Sequence, residues 1–285
     1  MKRKQKKRIW NKLIIITIIL TILIWNKNNS YNYKVNQHNN KASSSINITN
    51  NKNSDSIHDL RLLANENPDI EKIIKNKDKY PEILLEMLSR NLDMTDYVLK
   101  YLDYKGQVFS NNIGKVTKGK YPLLLQYDSR WGYGIYGDEV LAINGCGPTS
   151  LAMVIAGLTG RHNITPYDVA VYSYQNGHYA NGTSWSLFTT GVKKFGIVGT
   201  ELSLEKTTMI NELEQNHPII CSMRAGDFTT TGHIITIVGI KDGKFIINDP
   251  NSKKRSDQLW TYEKLKPQIK NLWSFKLEAQ EEDEK

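Results

Sequence analysis

The stretch from Gly232 to Pro250 restricts what this chain can fold into more than any other. Ile234-Ile235-Thr236-Ile237-Val238-Gly239-Ile240 meets a turn at Lys241-Asp242-Gly243 and returns as Lys244-Phe245-Ile246-Ile247-Asn248, followed by Asp249-Pro250. Two such runs about a glycine-containing turn predict a β-hairpin. His233 then opens one strand and Asp249 follows the end of its partner, at the same edge of a sheet. Successive side chains alternate between faces, so the loop length decides whether the two can meet. A two-residue Asp242-Gly243 loop sets Asp249 opposite Thr236, on the face that His233 does not use. A three-residue Lys241-Asp242-Gly243 loop, with Gly243 left-handed in a bulge, sets Asp249 opposite Ile235, the diagonal same-face neighbour of His233. That diagonal is about 7–8 Å, within side-chain reach. The three-residue loop is the expectation if His233 and Asp249 act together; an ordinary hairpin between two unrelated turns is the alternative.

A histidine oriented by a carboxylate invites a search for a nucleophile, and the sequence offers two cysteines. Gly145-Cys146-Gly147 leads into Pro148, a residue suited to a helix start, and then into Leu151, Ala152, Val154, Ile155 and Leu158, with Gly157 and Gly160 ending the run. Cys146 is thus expected at the amino end of a buried helix, where free N–H groups and the helix dipole stabilise an anion. The flanking glycines would let a substrate carbonyl approach the sulfur and the Cys146 N–H, an oxyanion donor. The competing reading is a buried structural cysteine. Cys221, in the strand-like Pro218-Ile219-Ile220-Cys221-Ser222-Met223, is read as structural, and a Cys146–Cys221 disulfide would quench the nucleophile. Of the other histidines, His38 and His58 flank a polar tract, His162 and His217 sit in loops, and His178 is the one serious rival to His233.

The net charge of +9 suggests nucleic acid, but Lys2, Arg3, Lys4, Lys6, Lys7, Arg8 and Lys12 account for seven of the 38 basic residues. Without them 31 face 29 acidic residues, so no phosphate-binding face and no nucleic-acid partner are expected. Two cysteines are too few for a disulfide scaffold or a four-thiolate zinc site, and no metal or cofactor is expected.

The basic segment 1–12 precedes Leu13 to Trp25, whose polar members are Thr17 and Thr21. Basic residues before an apolar segment stay on the cytoplasmic side, which places the remainder of the chain outside. Thirteen helical residues span about 20 Å against a hydrocarbon core of about 30 Å. Counting from Ile9, with Lys12 snorkelling and Trp10 and Trp25 at the interfaces, lengthens the segment, and no small-residue cleavage site follows it. A single-pass anchor with an extracytoplasmic catalytic domain is favoured over a cleaved signal and secretion. Residues 26–57 hold eleven asparagines in 32 positions without periodicity and read as a disordered linker. Residues 58–118 form a helical pre-domain of three or four short helices, with Pro68 and Pro81 near helix starts, that packs on the main domain or shapes a groove. Residues 119–277 form the main domain, and 278–285 an acidic tail.

The order Gln126, Gly145-Cys146-Gly147-Pro148-Thr149-Ser150, Gly182-Thr183-Ser184-Trp185, Gly226-Asp227-Phe228-Thr229-Thr230-Thr231-Gly232-His233 and Asn248-Asp249-Pro250-Asn251-Ser252 resembles the papain-like cysteine peptidases related to bacteriocin-processing, double-glycine-leader peptidase domains. The resemblance runs from about Tyr121 to Phe275. It implies an α+β papain-like fold, the helix carrying Cys146 packed on an antiparallel sheet carrying His233 and Asp249. It also implies a Cys146-His233-Asp249 triad with Gln126, at the end of a Leu123-Leu124-Leu125 strand, as an oxyanion-hole side chain. Gln126 lies twenty residues before Cys146, farther than in transporter-borne domains, which aligns the chain with stand-alone, exported members. Neither a transporter membrane domain nor a phosphate loop is found: WGYGIYG lacks the Lys-Ser/Thr.

The function implied is a surface-anchored thiol hydrolase acting on a peptide or amide-containing substrate. The alternatives are an acyl or peptidyl transferase using the same acyl-enzyme and a non-enzymatic binding domain. Trp131, Tyr133, Tyr136, Tyr179 and Trp185 are read as core first and cleft second, and substrate-binding residues stay unassigned.

Overall fold

The computed structural model of the chain describes residues 56–279. The basic segment, the apolar segment 13–25, almost all of the Asn-rich linker and most of the acidic tail lie outside the described residues. Among the described residues, no helix is long and apolar enough to cross a membrane.

The described residues open in a helix, α1 (56–64), which includes His58, where helical periodicity begins in the sequence. It is followed by α2 (Pro68–Lys75), α3 (Glu82–Arg90) and α4 (Thr95–Tyr104). Pro68 begins α2, where its missing N–H is no loss, and Asn67 caps the helix by accepting from the N–H groups of Asp69 and Ile70. Pro81 is the residue from which α3 starts. From Leu60 onward these helices belong to one compact unit with the segments that follow them. Tyr97 of α4 stacks on Tyr133 with ring centres 4.3 Å apart, and its hydroxyl donates to the Gly132 carbonyl at 2.9 Å.

A small hairpin, β1 (Ile135–Tyr136) with β2 (Glu139–Val140), leads through α5 (Leu141–Asn144) into α6 (Cys146–Thr159). Cys146 is itself the first helical residue, two positions earlier than a Pro148 start would give. Every residue from Gly147 to Leu158 is buried, so α6 is apolar on all sides and must lie between other elements. The helix passes through Gly157 and ends at Gly160, whose φ of 76° closes it in the left-handed conformation. Gly157 serves packing instead: a Cβ there would lie 2.0 Å from the Tyr121 ring. Then come α7 (Pro166–Gln175), α8 (Ser186–Thr189), β3 (Ile197–Glu201), α9 (Lys206–Glu214), β4 (Ile219–Met223), β5 (His233–Lys241), β6 (Lys244–Asn248), α10 (Lys253–Ser256), β7 (Leu259–Trp260), α11 (Tyr262–Leu265) and β8 (Ile269–Leu277).

The main sheet is six-stranded in the order β3-β8-β4-β5-β6-β7, with every neighbouring pair antiparallel. Strand alternation sorts its side chains. Ile220, Ile234, Trp273 and Phe275 join the core built around α6 and α7. Ile219, Cys221, Met223, Ile235 and Ile237 join a second core with Met209 of α9 and Leu265 of α11. This is the expected α+β architecture, the helix carrying Cys146 packed on an antiparallel sheet. Trp131, Tyr133 and Tyr136 are core residues, whereas Trp185 is 40% exposed.

The hairpin reaches the expected register by a different route. Its loop is the two-residue Asp242-Gly243, both at positive φ (52° and 70°), and Lys241 pairs with Lys244. The extra residue sits inside the strand: Ile237 pairs with Ile247 and Gly239 with Ile246, leaving Val238 as a bulge. Beyond it Thr236 pairs with Asn248, and one further step brings Asp249 alongside Ile235. The three-residue loop is therefore corrected. The turn prefers Asp-Gly in the doubly left-handed form whose twist suits the strands, and the strand absorbs the extra residue.

The segment before Gln126 is a second correction. Residues 121–125 form no strand. They are held from the side: Asn248 Nδ2 donates to the Tyr121 and Pro122 carbonyls at 3.1 and 3.2 Å, and Gln126 N–H donates to the Pro250 carbonyl at 2.8 Å.

Candidate active site

Cys146 stands half-buried at the first position of α6. The glycines around it are dictated by packing as well as by access. A Cβ at Gly145 would meet the Leu141 carbonyl at 2.4 Å, and one at Gly147 would meet the Thr183 side chain at 2.5 Å. The helix can therefore begin here only with glycines on both sides of the thiol.

His233 begins β5 and is 8% exposed. Its Nε2 is 2.8 Å from Asp249 Oδ1, which leaves Nδ1 as the free ring nitrogen. Burial works to keep the ring neutral, but the Asp249 charge and hydrogen bond, then a hydrogen bond and charge from Cys146, outweigh it and raise the pKa to about 9. The thiol and the ring are thus neighbours in one pocket, close enough for each to influence the charge of the other.

Asp249 is wholly buried. Its Oδ1 also accepts from the Asn251 N–H at 2.8 Å, and its Oδ2 accepts from Arg255 Nε at 2.5 Å. Burial alone would favour the protonated acid, yet His233 and Arg255 hold the pKa below the ordinary carboxylate value. The residue before Pro250 is extended by the ring that follows it, and Ser252 then caps α10, bringing Arg255 back over the carboxylate. Arg255 was not identified from sequence, where its only mark is a place six residues after Asp249 in a basic Lys-Lys-Arg run.

Gln126 lines the same pocket as Cys146 and His233. Its Nε2 donates to the Ala142 carbonyl at 2.6 Å, while Oε1 is buried without a hydrogen-bond partner among the described residues. A second, long Nε2 bond reaches the Ile143 carbonyl at 3.5 Å, so this donor is only weakly engaged. Cys146, His233, Asp249 and Gln126 are therefore assembled in one place from four separate parts of the chain.

The other candidates lie elsewhere. His178 places Nδ1 2.7 Å from Ser186 Oγ, and Gly191 packs closely against its ring. Cys221 is a free, fully buried cysteine in β4, and burial pushes its thiol pKa far up. Cys146 is free as well. Among the described residues, no group of three or more His, Cys, Asp or Glu side chains could hold a metal ion.

The pocket over Cys146 has a volume of about 160 Å³ and three walls. One carries Cys146, Gln126 and Ile143; a second is the loop Phe228–Gly232 with His233; the third is α3, through Ile83, Glu86, Met87 and Arg90. The loop falls within the resemblance motifs, and shaping a groove is one of two roles expected of the helical region, but that α3 supplies it is not legible, because a sequence does not show where a surface helix docks.

A model of the Peptidase_C39 like family matches residues 118–276. The chain belongs to that family. Solved structures similar to this family member include the peptidase domain of Streptococcus ComA, a bi-functional ABC transporter involved in a quorum-sensing pathway. It is 20% identical, with 56% of this chain and 100% of that chain covered and a TM-score of 0.39. Another is a C39-like peptidase from Bacillus anthracis, 16% identical, with 59% and 100% covered and a TM-score of 0.34. No curated protein matches. The segment matched to the Peptidase_C39 like family holds Cys146, His233, Asp249 and Gln126, and α3 lies before it.

Proposed function

We propose that this chain is a thiol hydrolase of peptide or amide bonds that works through Cys146, His233, Asp249 and Gln126. The observation that carries the reading is the chain of contacts from a thiol at a helix start, through a buried imidazole, to a buried carboxylate. Family membership supports cysteine-peptidase-like chemistry independently.

The chemistry follows from those contacts. The raised His233 pKa favours transfer of the thiol proton to Nδ1, giving a thiolate–imidazolium pair. The thiolate attacks the substrate carbonyl, and the oxyanion takes hydrogen bonds from the Cys146 N–H and from Gln126 Nε2, which gives up its long bond to the Ile143 carbonyl. The imidazolium protonates the departing amine, leaving a thioester on Cys146. Water, deprotonated by His233, then cleaves the thioester and regenerates the thiol. Asp249 remains ionised throughout and fixes the ring.

The experiment is trapping of the thioester. An activated amide or ester substrate, quenched in acid and digested, should add its acyl mass to the peptide containing Cys146. Free carboxylic acid as the final product supports hydrolysis; transfer to added amines at the expense of acid supports the transferase alternative. No adduct at all contradicts both.

We further propose that the apolar segment 13–25 anchors the chain and that the hydrolase works outside the cytoplasm, supported by the basic residues before it. Protease applied to protoplasts should release a fragment beginning within residues 26–57. Soluble protein alone in the medium would indicate a cleaved signal instead.

A further inference from the structure

α3 precedes the matched family segment, yet it forms a wall of the pocket that holds Cys146 and His233. Its core face is conventional, with Leu84, Leu85 and Leu88 buried. Ile83 and Met87, one turn apart, face the pocket instead, and Ile83 is 43% exposed. Phe228, in the loop before His233, also lines the pocket, with its ring mostly buried against Trp260. An apolar pair outside the core face of the helix, half-buried at Met87 and exposed at Ile83, thus borders the pocket that holds the Cys146 thiol.

The charges around the pocket decide what the pair would accept. Arg90 Nη2 lies 2.6 Å from Glu86 Oε1, and Arg255 is paired with Asp249. Each charged side chain of this wall is therefore neutralised within the protein. A charged substrate side chain entering here would lose water and gain no free counter-charge, whereas an apolar one would be removed from water against Ile83 and Met87.

The wall is also tied to the candidate machinery. Arg90 Nη1 donates to Thr230 Oγ1 at 3.0 Å, and Asn91 Nδ2 donates to the Asn251 carbonyl at 2.7 Å. Asn251 in turn donates to Asp249. α3 is thus fastened to the loop before His233 and to the loop after Asp249, which keeps Ile83 and Met87 at a fixed place beside the thiol.

We propose that Ile83 and Met87 form a specificity subsite that receives one uncharged, apolar side chain of the peptide substrate, so that the helical region before the family segment selects what Cys146 cleaves. The proposal rests on the thiol-hydrolase reading above.

The test is a positional-scanning peptide library presented to the full-length wild type and to Met87→Lys, with iodoacetamide labelling of Cys146 in parallel. In the wild type one substrate position should prefer Leu, Ile or Met over Glu by roughly tenfold or more in kcat/KM, the scale expected of a hydrophobic pocket. In Met87→Lys that preference should fall about tenfold or reverse towards Asp and Glu at the same position, with other positions unaltered. A turnover profile unchanged by Met87→Lys, or a wild type with no apolar preference anywhere, overturns the subsite while leaving the hydrolase reading intact. If Met87→Lys loses Cys146 labelling together with its folded circular dichroism, Met87→Gln and Ile83→Gln replace it, with a loss of apolar preference expected and an unchanged profile fatal. A wild type that neither hydrolyses any library member nor labels at Cys146 fails at the earlier step and removes both readings.

Discussion

Nε2 of His233 lies 2.8 Å from Oδ1 of Asp249, although sixteen residues and a complete hairpin separate them. The contact depends on the Val238 bulge. Without it the two-residue loop would turn Asp249 to the opposite face, and the ring would have no orienting carboxylate. A strand irregularity thus sets the direction of the candidate base.

That pair makes a pH prediction. His233 is raised from 6.5 to about 9, so the stability gained from its charged form is fully present below about pH 6.5 and is lost as pH rises through about 9. Asp249 is shifted the other way, and its contribution, present above the unfolded value of 3.8, is lost as pH falls through its lower folded value. A profile of kcat/KM should show a basic limb near pH 9, and Asp249→Asn should move that limb to lower pH. An unmoved limb would mean that another group sets it.

His233→Ala should cost about 10² to 10⁴ in kcat, the usual scale of general-base help. Asp249→Asn should cost less, because the carboxylate orients the ring and takes no part in bond making. Steady-state rates of the two variants decide the order.

Arg255 should matter without touching the reacting atoms. Arg255→Ala leaves the buried Asp249 with His233 and the Asn251 N–H as partners, and removing one member of a buried pair costs up to roughly 3–5 kcal/mol. Thermal unfolding should show that loss. Arg255→Lys, which keeps the charge but not the Nε–H geometry, should recover part of both stability and kcat.

Gln126→Ala should lower kcat by about 10² to 10³ with little change in KM if Nε2 exchanges its long bond to the Ile143 carbonyl for one to the oxyanion. Equal loss in kcat/KM through KM alone would assign it to substrate binding.

Much of this site could be read from the residues themselves, and the reasons are local. A helix start is written in Gly-Cys-Gly-Pro and the apolar run behind it, and a hairpin in Asp-Gly between β-branched runs. What escaped reading depends on packing across distance. The one mark of a bulge beside Val238 is Gly239, a glycine inside a strand, which the three-residue loop expectation does not use. Leu123 to Leu125 look like a strand, yet no strand pairs with them: the Asn248 side chain holds the preceding Tyr121 and Pro122 carbonyls, and the Leu124 N–H meets the Met153 sulfur. Ile83 and Met87 look like one more amphipathic turn until α3 is seen against the Phe228 loop.

His178 and Cys221 are the controls that separate site from scaffold. His178→Ala should leave turnover near wild type, since its partner is Ser186 and not the thiol. Cys221→Ala should lower the melting temperature through a small cavity and leave kcat unchanged. A dead His178→Ala enzyme would displace His233 as the base and Asp249 with it.

The most direct measurement of the central claim is peptide hydrolysis by Cys146→Ala beside the wild type, with circular dichroism and thermal unfolding to establish that both are folded. The expected result is a folded Cys146→Ala protein with no detectable turnover. Wild-type turnover by the folded variant would contradict the thiol mechanism outright.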